Sequence, residues 1–103
     1  MTHHNEHDVA RNRAHAKRVL YEKREWLHEL KNVPCSDCGV RYPYYVMDFD
    51  HRPDEVKSFN IANSTTKGMQ QLKSEVAKCD IVCANCHRKR SHQRRKGVPP
   101  NVV

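Results

Sequence analysis

Cys83-Ala-Asn-Cys86-His87-Arg88, set beside Cys35-Ser-Asp-Cys38-Gly39, gives two cysteine pairs of identical spacing. One such pair is a weak signal, but two can place four thiolates on a single Zn²⁺ in a tetrahedral shell. The 44 residues between the pairs are many for a simple zinc ribbon, so the metal is expected to clamp the start of a core to its end. A closed four-cysteine shell keeps no open position, which makes this zinc structural rather than catalytic. Its binding energy would then contribute directly to folding. Cys79, the fifth cysteine, reads as a small buried residue or as a competitor for the metal.

The rest of the composition agrees with a stapled domain. A chain of 103 residues is one domain's length, and only 37% of it is hydrophobic against 30% charged. Short chains bury proportionally little surface, so a metal staple has a use. The first residues carry no apolar segment of a secretory leader, and no run approaches the ~20 apolar residues of a membrane span. The expectation is a cytoplasmic protein, of a bacterium or a phage-infected cell, with no membrane partner. In that compartment cysteines bind metal more readily than they pair, and an odd count of five argues the same way. The formal net charge is +7, of which residues 83–103 alone contribute +6. A basic segment of that kind suits a polyanion, because neutralising phosphates releases counterions. A solubilising basic tail is the plainer alternative.

Outward from the cysteines, three units are expected: an N-terminal basic amphipathic helix within 1–34, a core over 35–96 and a tail over 97–103. No glycine or proline interrupts Asp8 to Lys31, and Ala16, Leu20, Leu27 and Leu30 form a stripe widened by Val19 and Trp26. Asp8 is a candidate cap, and Pro34 ends the helix. Its polar face carries Arg11, Arg13, Lys17, Arg18 and Arg24, which can be solvated or can touch DNA or a partner protein. Residues 44–51 alternate from Val46 onward as a strand does, with Met47, Phe49 and His51 on one face and Asp48 and Asp50 on the other. Ser64-Thr65-Thr66 can start a helix to about Lys78, buried through Met69, Leu72 and Val76. Asp80-Ile81-Val82 is a short strand, and Ala84 to Lys96 a final helix closed by Gly97-Val98-Pro99-Pro100.

Three segments then occur in order: Cys35-Ser-Asp-Cys-Gly, Asp48-Phe-Asp-His-Arg and Lys78-Cys-Asp-Ile-Val-Cys-Ala-Asn-Cys-His-Arg. Together they resemble the HNH endonucleases that carry a four-cysteine zinc site, over about residues 35–95. The resemblance implies an α+β fold: a ββα-metal core of two antiparallel strands and a helix, clamped by the zinc and here preceded by the N-terminal helix. It also implies hydrolysis of DNA, leaving 5′-phosphate and 3′-hydroxyl ends.

The residue chemistry suits those roles. A histidine titrates near neutrality, so His51 can act as general base toward the attacking water. Asp50 offers the oxygen that a hard cation such as Mg²⁺ prefers, and an imidazole at His87 extends the choice to Mn²⁺, Ni²⁺ or Zn²⁺. A divalent ion there would offset charge on the phosphate and on the departing 3′ oxygen. Where the family has its middle asparagine this chain has Lys78, a possible phosphate contact, with Asn60 or Asn63 as alternative loop-orienting residues. Ser91 stands where some members have a further metal histidine. His92 is rotated by roughly 140° from His87 on an ideal helix, which makes it a poor ligand.

Arg90 and Arg94 lie at +3 and +7 from His87 and share its face. With Arg88, Arg95 and Arg52 they are the expected phosphate contacts, which position DNA without reading its sequence. The partner is therefore expected to be double-stranded DNA, with low sequence specificity. Two other readings remain open on the same residues. One is a non-catalytic zinc module that binds nucleic acid. The other is an adaptor of a DNA-processing complex, docked through the N-terminal helix.

Overall fold

The computed structural model describes residues 6–63 and 66–96. The expected helix start at Ser64-Thr65 and the tail over 97–103 lie outside the described residues. Helix α1 spans Glu6–Leu30, strand β1 Met47–His51, helix α2 Met69–Val76, strand β2 Cys79–Cys83 and helix α3 Ala84–Lys96. Over the described residues the fold is a small α+β arrangement: three α-helices and one two-stranded antiparallel sheet, with the final helix following β2 without a break.

Helix α1 forms where no residue breaks it. Asp8 lies in its first turn rather than before it, and the amides of Lys31 and Asn32 close the last turn on the carbonyls of His28 and Glu29. Only part of its apolar stripe is covered. Leu20, Trp26, Leu27 and Leu30 are half-buried, whereas Ala16 and every residue from Ala10 to Arg18 are exposed. A 25-residue helix is about 37 Å long. A core built on strands of five residues is too small to cover it, so the molecule is elongated, at 62 × 27 × 18 Å.

After α1 the chain makes a tight knuckle. The amide of Cys35 donates to the carbonyl of Val40 and that of Gly39 to the carbonyl of Cys35, both at 2.9 Å, while Pro34 and Arg41 form an isolated bridge. Gly39 takes φ +74°, the left-handed region that glycine enters without strain. The strand expected over 44–51 begins only at Met47. Tyr44–Val46 is a 3₁₀ turn closed by the amide of Val46 on the carbonyl of Pro43.

Strand β1 pairs with β2 from Met47 opposite Cys83 to His51 opposite Cys79. Helix α2 fills the connection between them and buries Leu72 and Glu75 completely. It begins at Met69, where the Gln71 side chain accepts the amide of Gly68 at 3.1 Å. The core gathers Cys35, Met47, Val82, Cys83 and Cys86, with Tyr42, Val46 and Ile81 against it. Three of those five buried residues are cysteines, so the packing is centred on sulfur. Among the described residues no helix is long and apolar enough to cross a membrane.

Candidate functional site

Two sites flank the sheet. At one end the knuckle brings Cys35 and Cys38 against Cys83 at the end of β2 and Cys86 in the first turn of α3. All four sulfurs lie within 4.8 Å of one another, with Cys38 and Cys83 4.0 Å apart. A tetrahedral shell with Zn–S bonds of about 2.3 Å has sulfurs about 3.8 Å apart, so the cluster can hold such an ion with little adjustment. The amide of Cys83 points at the Cys35 sulfur at 3.3 Å and that of Cys86 at the Cys83 sulfur at 3.4 Å, donors that stabilise thiolates. Burial raises the Cys35 thiol, yet the amides of Cys38, Cys83 and Asp37 bring it down to about 6. Cys86 is instead pushed up to about 12, by burial and then by its three sulfur neighbours. Four thiolates cannot coexist here without a cation. The expected ligand set Cys35, Cys38, Cys83 and Cys86 is thus brought together. Cys79 stays outside it, half-buried, its thiol donating to the carbonyl of Glu75 at 3.6 Å and raised to about 11 by burial.

Beside the sheet lies an open cleft of about 810 Å³. Its floor is Asp48 to His51 of β1, its walls are α1 through Arg24, His28 and Lys31 and α3 through His87 and Arg94, and Lys57 and Asn60 close the rim. Asp50, His51 and His87 therefore share one cavity. Asp50 is 4% exposed, and the Nε2 of His87 lies 3.5 Å from its Oδ1. The other ring nitrogen of His87, Nδ1, meets Asp48 Oδ2 at 3.0 Å. A carboxylate only accepts, so Nδ1 carries the hydrogen and Nε2 is turned toward Asp50. Metal-bound histidines are held in this way by a carboxylate on the far nitrogen. At that separation the Nε2 of His87 and the Oδ1 of Asp50 are close enough to share a cation.

His51 is turned the other way. Its Nε2 meets Glu75 Oε2 at 2.8 Å, and Glu75 is 2% exposed. The same carboxylate accepts the amide of Ser58 at 2.9 Å and the ammonium of Lys78 at 3.0 Å. Burial opposes its ionisation, but these donors hold it at about 2, so it is charged at any working pH. Sequence reasoning passed over Glu75 and Asp48. Both were legible from periodicity: Glu75 lies three residues after Leu72 on the buried stripe of α2, and Asp48 two before Asp50 on β1.

The basic residues divide into two groups. Arg90 grips both oxygens of Asp37 at 2.6 Å and reaches Asp50 and Asp80 at 2.9 Å, bracing α3 to the knuckle and both strands. Its charge is held firmly by those acceptors. Arg94 forms a two-pronged pair with Asp50 at 2.8 and 2.9 Å. Burial alone would raise the Asp50 carboxyl, but Arg94 and Arg90 hold it below its ordinary value. Arg52 donates to the carbonyls of Ala77 and Cys79, and Lys78 to the carbonyl of Val56 and the hydroxyl of Ser58, so both fasten the loop after β1. Arg88 and Arg95 are exposed on α3, as are Arg13, Lys17 and Arg18 on α1, and His92 is exposed away from the cleft lining. Asn60 lines the cleft, whereas the side chain of Asn63 lies outside the described residues.

Comparison with protein-family models, with curated proteins and with solved structures finds no match to this chain.

Proposed function

We propose that this chain is a metal-dependent endonuclease of the HNH type, hydrolysing the phosphodiester backbone of double-stranded DNA in the cleft between α1 and α3. The observation that carries this reading is the convergence of Asp50, His51 and His87 on one cavity, with His87 oriented by Asp48 as a metal ligand is. The order β1, β2, α3 with the four cysteines at its end is what a zinc-clamped ββα-metal core requires.

In this reading Asp50 and His87 hold a divalent cation, Mg²⁺, Mn²⁺ or Ni²⁺, whose chemistry is to polarise the phosphate and offset charge in the transition state. His51 uses Nδ1 to take the proton of the attacking water as its oxygen bonds to phosphorus. The bond from phosphorus to the 3′ oxygen breaks with its electron pair going to that oxygen, which takes a proton from solvent water. A zinc held by Cys35, Cys38, Cys83 and Cys86 would be structural. Arg88, Arg95 and the exposed arginines and lysines of α1 approach phosphates away from the cut. Such contacts give little sequence preference.

One observation favours a second reading, a zinc-containing nucleic-acid-binding module without catalysis. The carboxylate of Asp50 is already neutralised by Arg94 and Arg90, as in a structural ion pair. The chemistry of cut ends separates the two. A labelled duplex incubated with the zinc-loaded protein and Mn²⁺ is expected to yield 5′-phosphate and 3′-hydroxyl termini, and none in EDTA. Ends bearing a 3′-phosphate contradict the proposed direction of bond breaking, and intact but bound duplex supports the binding module.

A further inference from the structure

The interior side of His51 is built as carefully as the cleft side. The two nitrogens of an imidazole point away from one another, so a ring anchored through one presents the other to the opposite side. His51 lines the cleft, while its Nε2 is anchored to a carboxylate that does not line it. That carboxylate is the one acidic group on the buried face of α2, in a position where an apolar residue would continue the stripe of Leu72. A buried glutamate is costly unless both of its oxygens are hydrogen-bonded. Here Oε2 accepts from Ser58 and His51, and Oε1 accepts from Lys78.

We propose that Glu75 is a positioning residue for His51: its carboxylate fixes the hydrogen on Nε2 and so presents the bare Nδ1 to the cleft. This rests on the reading of His51 as general base. Lys78 and Ser58 hold the device in place. The ammonium of Lys78 bonds Glu75 at 3.0 Å and the carbonyl of Val56 at 2.7 Å, tying the loop that follows His51 to the helix that orients it. The lowered pKa of Glu75, where burial is outweighed by the Ser58, Lys78 and His51 donors, keeps it an acceptor throughout the range in which the enzyme would work. A neutral tautomer with Nδ1–H would place a donor toward the water and a lone pair against a carboxylate, a repulsive arrangement inside the protein.

A purely structural ion pair of Glu75 with Lys78 makes a different forecast, so three readouts on the zinc-loaded full chain separate them. Nitrogen NMR of histidine-labelled parent is expected to show His51 protonated on Nε2 and bare on Nδ1. In Glu75→Gln an amide must set a donor against either Lys78 or Ser58. The ring is then expected to populate both tautomers, while kcat for plasmid nicking falls about 10- to 100-fold and KM stays within about twofold. That loss is part of the 10²–10⁴ a general base contributes. Glu75→Asp keeps the charge on a shorter reach and is expected to recover part of kcat and the single tautomer.

The proposal is overturned if the parent's His51 carries its hydrogen on Nδ1. It is equally overturned if folded Glu75→Gln keeps both the Nε2–H tautomer and the parent's kcat. Should Glu75→Gln fail to fold, the parent's tautomer and Glu75→Asp still decide. A parent that never nicks DNA with any metal removes the nuclease reading, and the tautomer measurement then judges the hold of Glu75 on His51 by itself.

Discussion

Stripping the metal from the four-cysteine cluster, or replacing Cys83 by serine, is expected to unfold the core. Cys35, Cys83 and Cys86 make up three of the five residues in the central buried cluster. Beyond it the described chain buries only Ile61 and Leu72 as apolar residues. Structural zinc contributes about 10–16 kcal/mol of apparent binding energy in small domains. A chain of this length has a total stability of roughly 5–15 kcal/mol, so losing the ion exceeds or matches all of it. Far-UV circular dichroism and a thermal melt, before and after a strong chelator, measure this directly. The chelated protein is expected to lose its cooperative transition, and one zinc per chain should be released. Helix α1, half clear of the core, is expected to keep part of its signal only as an isolated helix does, which is marginal. Cys79→Ser is the control: its thiol lies outside the cluster and donates to the carbonyl of Glu75, a bond a serine hydroxyl can also make, so zinc content and melting should hardly move. A cooperative melt that survives full zinc removal contradicts the staple.

The second large effect is expected at Asp50. Asp50→Ala removes the carboxylate that the proposed divalent ion shares with His87, and with it several kcal/mol of charge stabilisation. At 1.36 kcal/mol per tenfold this is a loss of about 10³ in nicking rate. The fold is expected to suffer less. Truncating one partner of a buried ion pair commonly costs about 3–5 kcal/mol because the other charge is stranded. Here Arg90 keeps Asp37 and Asp80, and Arg94, whose side chain is 38% exposed, can turn to water. The expected cost is therefore nearer about 2 kcal/mol. Urea unfolding gives that value, and Mn²⁺ titration followed by electron paramagnetic resonance gives the metal affinity. Asp50→Ala that still binds Mn²⁺ at parental affinity would remove Asp50 from the metal site.

The elements built on strong local signals were legible in the sequence. The cysteine pairs placed the cluster, and Ala84 to Lys96 was bounded by a cysteine knuckle before it and glycine and prolines after it. Short elements were read less well because a turn can take the same residues. Pro43 supplies the carbonyl that closes Tyr44–Val46 into a 3₁₀ turn, which removed three residues from the expected strand. The apolar stripe of α1 was legible, but its coverage was not, since burial depends on how large a core the rest of the chain can build. At the site, Asp50, His51 and His87 were named from the resemblance of their motifs to the HNH endonucleases and from their residue chemistry, and they line one cleft. Arg90 shows where one-dimensional reasoning stops. Its helical face was assigned from its distance to His87, but its partners Asp37, Asp50 and Asp80 come from three other segments. Lys78 is similar, since nothing local marks it as the clasp between Val56 and Glu75.

Relaxation of supercoiled plasmid by the zinc-loaded protein, in EDTA and then with Mg²⁺, Mn²⁺ or Ni²⁺, beside His51→Ala, tests the proposed nuclease activity most directly. The variant should remain folded, because Glu75 keeps Ser58 and Lys78 when the imidazole is gone. Metal-dependent nicking by the parent, reduced at least about 10²-fold in a folded His51→Ala that still holds its zinc, is the expected result. Plasmid that stays supercoiled with every metal while both proteins bind it would contradict catalysis and leave a zinc-stapled DNA-binding module.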